Sequence, residues 1–251
     1  MKNEINEVKY VIKQNIPYIL GLSECELRKP LDVNNLKIPG YDLLFPDSLD
    51  SYGFARVVVF IKNTLSYEQI SGLQDDSVQS VWIKGCFQNG RKIYFCHLYR
   101  EHASTLGSSL ADQRLYMDKL LHQWEAACSL NNLDDQNEIH IAGDINLDAL
   151  GERWLSPGYS LLSLAKMVEN VCNSFNITLL VKEPTRKQLN SVDATTNQSC
   201  IDHIYTNVKH RCSNPEIISF EASDYDLISY SKEPPSQAKT VRKRSYKDFD
   251  A

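Results

Sequence analysis

Short apolar runs separated by polar turns dominate the first hundred residues. Five of these runs are rich in Val, Ile, Tyr and Phe, a composition typical of β-strands. The predicted strands cover residues 18–22, 41–45, 57–61, 78–83 and 93–98. Asn89-Gly90 lies between the last two runs, and this dipeptide favours a tight turn. The pattern therefore predicts a β-hairpin over residues 78–98.

A helical period of apolar residues appears in three places. It predicts an amphipathic helix over residues 3–15, which Pro17 closes. A longer stripe, beginning after Ser108 and Ser109, predicts a second helix. Its apolar members are Leu110, Met117, Leu120, Leu121, Trp124 and Cys128. Residues 160–175 are predicted to form a third helix.

The second half of the chain adds further short strands and then changes character. These strands are predicted at residues 138–142, 177–181, 201–205, 217–220 and 227–230. Strands and helices alternate without strict order, which favours an α/β fold with a two-layer β-sandwich flanked by helices over a strictly alternating parallel sheet. We expect one domain over residues 1–231. Residues 232–251 are rich in Pro, Lys and Arg and are typical of a linker or tail.

Composition indicates the cellular compartment of the protein. Of its 251 residues, 42% are hydrophobic and 24% are charged, and these fractions are typical of soluble globular proteins. It has no apolar run long enough to span a membrane, and its start lacks the apolar core of a secretory signal. Seven cysteines without a C-x-x-C pair favour a reducing, intracellular location and argue against a zinc site.

Charge is unevenly distributed along the chain. The net charge is −5, but residues 232–251 carry +3 and residues 1–231 carry −8. An acidic body is unusual for a protein that holds nucleic acid through its phosphates alone. It is compatible with carboxylates that surround a cation.

Acidic or amide side chains lie at or just after the ends of several predicted strands. They are Glu24, Asp144, Asn146, Asp202 and Asp224. Rigid sheets present functional groups in such loops, and hard oxygen ligands suit Mg²⁺, or Mn²⁺, which shares its coordination shell with phosphate and water. Each position alone is explained as well by a turn former or a helix cap. Their order along the chain is the more specific signal.

That order resembles the endonuclease/exonuclease/phosphatase superfamily, and within it the apurinic-type endonuclease domain of non-LTR retrotransposons. Six motifs carry the resemblance and span residues 22–228. They are Leu22-Ser23-Glu24, His97-Leu98-Tyr99-Arg100, Ile141-Ala142-Gly143-Asp144-Ile145-Asn146, Glu183-Pro184-Thr185-Arg186, Cys200-Ile201-Asp202-His203-Ile204-Tyr205-Thr206-Asn207 and Ser223-Asp224-Tyr225-Asp226-Leu227-Ile228. The resemblance implies a DNase I-like sandwich and Mg²⁺-assisted hydrolysis of phosphodiesters. It also implies a DNA target, a reverse transcriptase domain as partner in the parent element, and a nuclear location.

The resemblance also implies roles for individual residues. Glu24 would hold the metal, with Asp224 beside it. Asp144 would orient or deprotonate the attacking water, and Tyr99 would position the phosphate. Asp202 would orient the histidine of the last motif, in whose place this chain has Tyr225. The implied contacts to the substrate phosphate come from Asn146, Thr185 and Arg186.

Two departures from the family indicate impaired catalysis. The last motif has Tyr225 where the family has histidine. Histidine titrates near pH ~6.5 and tyrosine near ~10, so a phenol is a poor base at neutral pH. The strand with which family members begin is also missing before the first helix, which would leave a sheet edge unpaired.

Two other functions remain open from the sequence. One is a remnant that binds nucleic acid or protein without catalysis, in which Arg100, Arg186 and the basic tail contact phosphates. The other is a phosphatase or phosphodiesterase of the same superfamily that acts on a small or lipid substrate.

Overall fold

A computed structural model describes most of the domain. It covers residues 5–29, 33–73, 75, 77–86, 90–101, 109–131, 133–134, 136–150, 161–189, 196–218 and 227–232. The predicted tail, apart from Lys232, and the Ser223–Asp226 motif lie outside these residues.

The described elements are numbered in chain order. The helices are α1 (Ile5–Asn15), α2 (Val33–Leu36), α3 (Leu49–Tyr52), α4 (Leu110–Asn131) and α5 (Leu162–Phe175). The first strands are β1 (Ile19–Leu22), β2 (Leu27–Arg28), β3 (Tyr41–Leu44), β4 (Phe54–Ala55), β5 (Val58–Lys62), β6 (Ser66–Gln69), β7 (Gln79–Cys86) and β8 (Lys92–Tyr99). The later strands are β9 (Asn137–Asp144), β10 (Thr178–Leu179), β11 (Arg186–Leu189), β12 (Thr196–Ser199), β13 (Asp202–Thr206), β14 (Glu216–Ile218) and β15 (Leu227–Ser229).

Two sheets form the centre of the molecule. The larger has six strands in the order β10-β13-β9-β8-β7-β6, and the smaller has three in the order β1-β5-β3. In the larger sheet β8 and β9 are parallel and the other neighbours are antiparallel. Three two-stranded ribbons, β2–β4, β11–β12 and β14–β15, complete the described sheet structure.

The alternation of side chains along the strands separates the layers. On β5, Val59 and Ile61 pack against Val81 and Phe95 of the larger sheet. Phe60, which points the other way, packs with the apolar face of α1. The far side of the larger sheet packs on α4 and α5 through a large apolar cluster centred on Trp124. The chain is therefore a β-sandwich with helices on both outer faces, as the sequence predicted.

Local sequence explains where the longest helix begins. Ser109 and Asp112 form a reciprocal cap, in which Ser109 N donates to Asp112 Oδ2 at 2.8 Å and Asp112 N donates to Ser109 Oγ at 3.3 Å. The predicted hairpin is confirmed as β7 and β8, with Trp82 paired to Cys96. The helices predicted at residues 3–15 and 160–175 are confirmed as α1 and α5, and α5 begins at Leu162, two residues later than predicted.

The sequence prediction missed the shortest elements. It did not contain β2, β4, β6, α2, α3 or the β11–β12 ribbon, and the strand expected at 177–181 is limited to Thr178–Leu179. Two-residue strands have too few side chains for a period to show. Among the described helices, none combines the length and apolar composition that a membrane-spanning segment requires.

Candidate active site

The candidate site lies at one end of the larger sheet, where β8 and β9 finish side by side. The strand register places Tyr99 opposite Asp144 on β9, and Asp144 opposite Asp202 on β13. Three of the predicted residues are thus brought together by adjacent strands. Asp144 and Tyr99 are buried, whereas Asp202 is partly exposed.

Glu24 reaches this site from the turn after β1. Its backbone adopts the left-handed region with φ 55°, which is uncommon for a residue with a side chain. Tyr99 Oη donates a hydrogen bond to Glu24 Oε1 at 3.0 Å. The neighbouring Ser23 is fixed by His97, with Ser23 Oγ 3.2 Å from His97 Nε2. The two side-chain contacts therefore hold Glu24 beside the strand ends in a strained backbone conformation.

The His97 ring needs the glycine of β1 opposite it. A Cβ atom at Gly21 would lie 2.3 Å from the His97 ring, so the ring fills the space that a side chain would take. Burial lowers the pKa of His97 to about 4, which leaves the ring neutral at physiological pH.

The loop after β9 presents Asp144 and Asn146 together. Asn146 N donates to Asp144 Oδ1 at 2.8 Å, and Asn146 itself has φ 51°. Gly143 precedes them with φ 140°, and a Cβ there would lie 1.9 Å from Leu98 O. Glycine is required at this position because β8 approaches so closely. The Gly-Asp-x-Asn motif is thus both a backbone requirement and a pair of polar groups.

Arg100 supports this loop from below. The residue is only 1% exposed, and its guanidinium donates to Ile145 O at 2.5 Å, to Asn146 O at 2.8 Å and to Gln113 Oε1. Asn146 Nδ2 donates in return to Arg100 O at 2.6 Å. The suggestion that Arg100 contacts substrate phosphates is wrong, because the side chain is buried and its donors are directed at the loop.

Thr185 has a similar supporting position beneath Asp202. Thr185 is fully buried, and its Oγ1 accepts hydrogen bonds from the backbone N–H groups of Ile201 and Asp202, each at 3.2 Å. Its predicted contact with a phosphate stays a prediction. Arg186 begins the β11–β12 ribbon opposite Ser199, and its positive charge acts on the Asp202 carboxyl. Arg186 therefore remains a candidate for substrate contact.

The aspartates of the site have raised pKa values. Burial, followed by the charge of Asp202, raises the pKa of Asp144 well above its usual range. Burial raises the pKa of Asp202 to about 6, with a further contribution from the Glu24 charge, against the opposing effects of Thr185 and Arg186. Burial and the Glu24 charge also raise the pKa of Tyr99, so its hydroxyl stays protonated and acts as a donor.

The oxygen atoms of these carboxylates test whether a cation fits. Asp144 Oδ2 and Asp202 Oδ2 are both buried and have no hydrogen-bond partner among the described residues. A buried carboxylate oxygen without a partner is costly, and a divalent cation would relieve that cost. Within the described ranges, no group of three His, Cys, Asp or Glu side chains is arranged to hold a metal ion. Mg²⁺ does not require such a group, because one or two carboxylates suffice when water and phosphate complete the shell.

Three solved structures share this architecture. The chain is similar to the endonuclease domain of TRAS1, a telomere-specific non-LTR retrotransposon, with a TM-score of 0.68 and 11% identity over 94% of each chain. The catalytic domain of APE2 from Xenopus laevis gives a TM-score of 0.61 and 14% identity, covering 90% of this chain and 87% of the other. The fold is DNase I-like. The beta toxin from Staphylococcus aureus also shares this DNase I-like fold, with a TM-score of 0.60 and 12% identity over 92% of each chain.

No protein-family model matches the chain, and no curated protein matches it. Identities of 11–14% concern the DNase I-like fold alone. At the level of the fold, the resemblance stated from the sequence is confirmed. The roles of the individual residues stay predictions, and those for Asp224 and Tyr225 fall outside the described residues.

Sequence reasoning missed one charged residue beside the site. Arg56, just before β5, places its guanidinium carbon 5.7 Å from the centre of the Tyr99 ring. The signal available in the sequence was weak, since an arginine at the start of an apolar run is an ordinary strand boundary. Its importance follows from the pairing of β2 with β4, which the apolar pattern does not predict.

Proposed function

We propose that this chain is a DNA endonuclease domain of the non-LTR retrotransposon type, dependent on Mg²⁺ or Mn²⁺ and slowed by Tyr225. The observation that carries the proposal is the convergence of Glu24, Asp144 and Asp202. One buried oxygen of each aspartate has no hydrogen-bond partner in the part of the chain that the structure describes. The similarity to the TRAS1 endonuclease domain supports the choice of DNA as substrate.

Each described residue has a defined task in this proposal. Glu24, held by the Tyr99 hydroxyl, and the free oxygen of Asp144 or Asp202 would hold the cation. When bound, Mg²⁺ would supply positive charge that neutralises the phosphate oxygens. The raised pKa of Asp144 suits a group that accepts a proton from the attacking water. Asn146 uses one N–H of its amide on Arg100 O, which leaves the second for a phosphate oxygen.

The last motif sets the expected rate. Asp224 would lie beside the metal, and Tyr225 replaces the residue that would exchange a proton or stabilise charge on the phosphate. Loss of a positioned acid or base typically lowers a rate by about 10²–10⁴-fold. We therefore propose slow hydrolysis on an otherwise competent scaffold. A reverse transcriptase domain as partner and a nuclear location belong to the same proposal.

The test is nicking of supercoiled plasmid with Mg²⁺ by the unaltered chain, Tyr225→His, Asp144→Ala and Tyr10→His. We expect Tyr225→His to nick about 10²-fold faster than the unaltered chain, and Asp144→Ala to abolish nicking. Tyr10 is 64% exposed on α1, so Tyr10→His controls for the substitution itself.

Two outcomes would contradict parts of the proposal. Nicking by the unaltered chain as fast as by Tyr225→His would remove the claim of impairment. Binding of DNA by the unaltered chain, without nicking by it or by Tyr225→His, would instead assign the chain as a non-catalytic binding remnant.

A further inference from the structure

We propose that the β2–β4 ribbon is a subsite for a nucleotide that flanks the cleaved phosphodiester. In this subsite Arg56 and Arg28 hold a phosphate, and the ring of Phe54 packs on the adjoining sugar or base. The inference rests on the proposed function, since it names the neighbouring part of the same DNA strand.

The ribbon brings four side chains to one face. Arg28 pairs with Phe54 across the ribbon, and Cys25 N donates to Arg56 O at 3.0 Å beyond the paired residues. Glu26 and Arg56 lie just beyond these paired residues, and their side chains contact each other. These four residues line one shallow hollow. Two guanidinium groups and an aromatic ring therefore share one surface.

Arg56 is oriented before any ligand arrives. Its guanidinium carbon lies 5.5 Å from the centre of the Phe54 ring and 5.7 Å from that of Tyr99. Its Nε is buried and has no hydrogen-bond partner among the described residues. Tyr99 in turn donates to Glu24, so Arg56 contacts both the hollow and a residue of the candidate active site. A planar guanidinium fixed by two rings is suited to bidentate binding of a phosphate.

Glu26 occupies the place that an anion would take. Glu26 Oε1 accepts a hydrogen bond from Arg56 Nη1 at 2.7 Å, and the glutamate side chain is 62% exposed whereas that of Arg56 is 16% exposed. The carboxylate can therefore leave to solvent while the guanidinium stays in place. A phosphate of the substrate would replace the carboxylate on Arg56, so Glu26 competes with the DNA.

The chemistry of the hollow favours a nucleic-acid strand over a lipid headgroup. An aromatic ring beside guanidinium groups matches a chain in which phosphates alternate with sugars and bases. A phosphocholine headgroup offers one phosphate and a cation, and the cation would be repelled by the two arginines.

Binding is measured without hydrolysis, by fluorescence anisotropy of a labelled 20-base-pair duplex in EDTA over a series of KCl concentrations. We expect Arg56→Gln to weaken binding about tenfold and to lower the slope of log K against log[salt] by about 0.9, as the loss of one phosphate contact does. Glu26→Gln should tighten binding severalfold. Phe54→Ala should weaken binding about tenfold without changing the slope.

A second ion pair provides matched controls. Lys84 Nζ and Glu68 Oε1 are also 2.7 Å apart, on the β6–β7 ladder, with side chains 35% and 63% exposed. Lys84→Gln and Glu68→Gln make the same changes of charge away from the hollow and should leave the affinity and the slope unchanged. Arg56→Lys keeps the charge and should keep the slope, which separates a phosphate contact from a loss of folding.

Three results would overturn the subsite: no binding of the duplex by the unaltered chain, a slope for Arg56→Gln equal to that for Lys84→Gln, or an Arg56-dependent affinity for phosphatidylcholine vesicles in place of DNA. The nicking assay distinguishes this failure from failure of the proposed function. A changed slope without nicking leaves the subsite standing, whereas nicking with an unchanged slope overturns the subsite alone.

Discussion

The two ends of β9 carry buried carboxylates in opposite electrostatic states. Glu138 and Asp144 lie six residues apart and so share a face of the strand, and both are almost fully buried. At the first end, Arg211 Nη1 lies 2.5 Å from Glu138 Oε1, Lys232 binds Oε2, and the His140 ring is nearby. At the second end, Asp144 has one oxygen without a partner among the described residues and two further carboxylates as neighbours.

The pKa values follow from this difference in partners. Burial acts to raise the pKa of Glu138, but His140, Lys232 and Arg211 outweigh it and lower the pKa to about 2. Burial and the Asp202 charge raise the pKa of Asp144. A buried carboxylate that is paired with basic side chains, as Glu138 is, stabilises the native state. A buried carboxylate that has an unpartnered oxygen and other carboxylates beside it, as Asp144 has, costs stability and is suited to bind a cation.

The largest effect is expected from removing the satisfied carboxylate. Glu138→Ala would leave Arg211 and Lys232 without their shared anion in a largely buried place, and should lower the free energy of unfolding by about 3 kcal/mol. Urea denaturation measures this. Glu68→Ala removes the carboxylate of an exposed pair and should cost less than about 1 kcal/mol. Equal losses for the two variants would mean that the Glu138 cluster is no stronger than a surface pair.

The pH dependence of stability should have opposite signs at the two ends of β9, with a change of about 3 kcal/mol at each. The pKa of Asp202 rises from 3.8 to about 6 on folding, so the native state binds more protons and stability falls as pH rises through that interval. The pKa of Glu138 falls from 4.5 to about 2, so its contribution is lost as pH falls through that interval. Urea midpoints from pH 2 to 7 should show a maximum between these limbs. Asp202→Asn should flatten the upper limb and Glu138→Gln the lower; an unchanged upper limb in Asp202→Asn would remove the assignment.

Mg²⁺ should stabilise the protein through the Asp144 end of β9 and not through the Glu138 end, and this effect should be smaller than the two above. A ligand at ten times its Kd stabilises the native state by about 1.4 kcal/mol, which raises the Tm of a domain of this size by about 3–5 °C. We expect this shift in the unaltered chain and in Glu138→Gln, and its loss in Glu24→Gln and Asp144→Asn. Differential scanning fluorimetry with MgCl₂, against NaCl of equal ionic strength, provides the measurement. A full shift in Asp144→Asn would place the cation elsewhere.

The smallest effect is a gain in stability at the strained end. Asp144→Asn keeps an oxygen to accept from Asn146 N but removes one of three neighbouring charges. Without Mg²⁺ at neutral pH, the free energy of unfolding should rise by about 1 kcal/mol. Urea denaturation in EDTA tests the sign, and a loss of stability would show that the Asp144 carboxylate is satisfied as it stands.

The strand pattern and the motif order predicted one of these ends and not the other. Glu24, Tyr99, Asp144 and Asp202 could be grouped because each lies at one end of a recognisable strand, or just beyond it, within a known order of motifs. The Glu138 cluster could not be grouped in this way. Arg211 and Lys232 lie 73 and 94 positions after Glu138 and reach it only through the β14–β15 ribbon. Lys232, predicted to begin the tail, is part of that cluster.

Burial was the second property that the sequence could not supply. Arg100 was expected to contact phosphates in the non-catalytic alternative, and the structure places its side chain beneath the loop of Asn146, where it donates to backbone carbonyls. Thr185 lies beneath Asp202 and accepts from backbone N–H groups, and the phosphate contact that the resemblance implies for it stays a prediction. A polar residue in a motif thus has two physical explanations, contact with substrate or support of a loop. Only the depth of the side chain separates them.

The position of Arg100 also decides how this scaffold tolerates mutation. A substitution that loosened the Asp144–Asn146 loop would take two backbone acceptors away from the buried Arg100 guanidinium, so it would also destabilise the fold. The same contacts hold the loop and the core together, so a chain that folds keeps the shape of this loop. The geometry of the loop is therefore a record of folding rather than of activity.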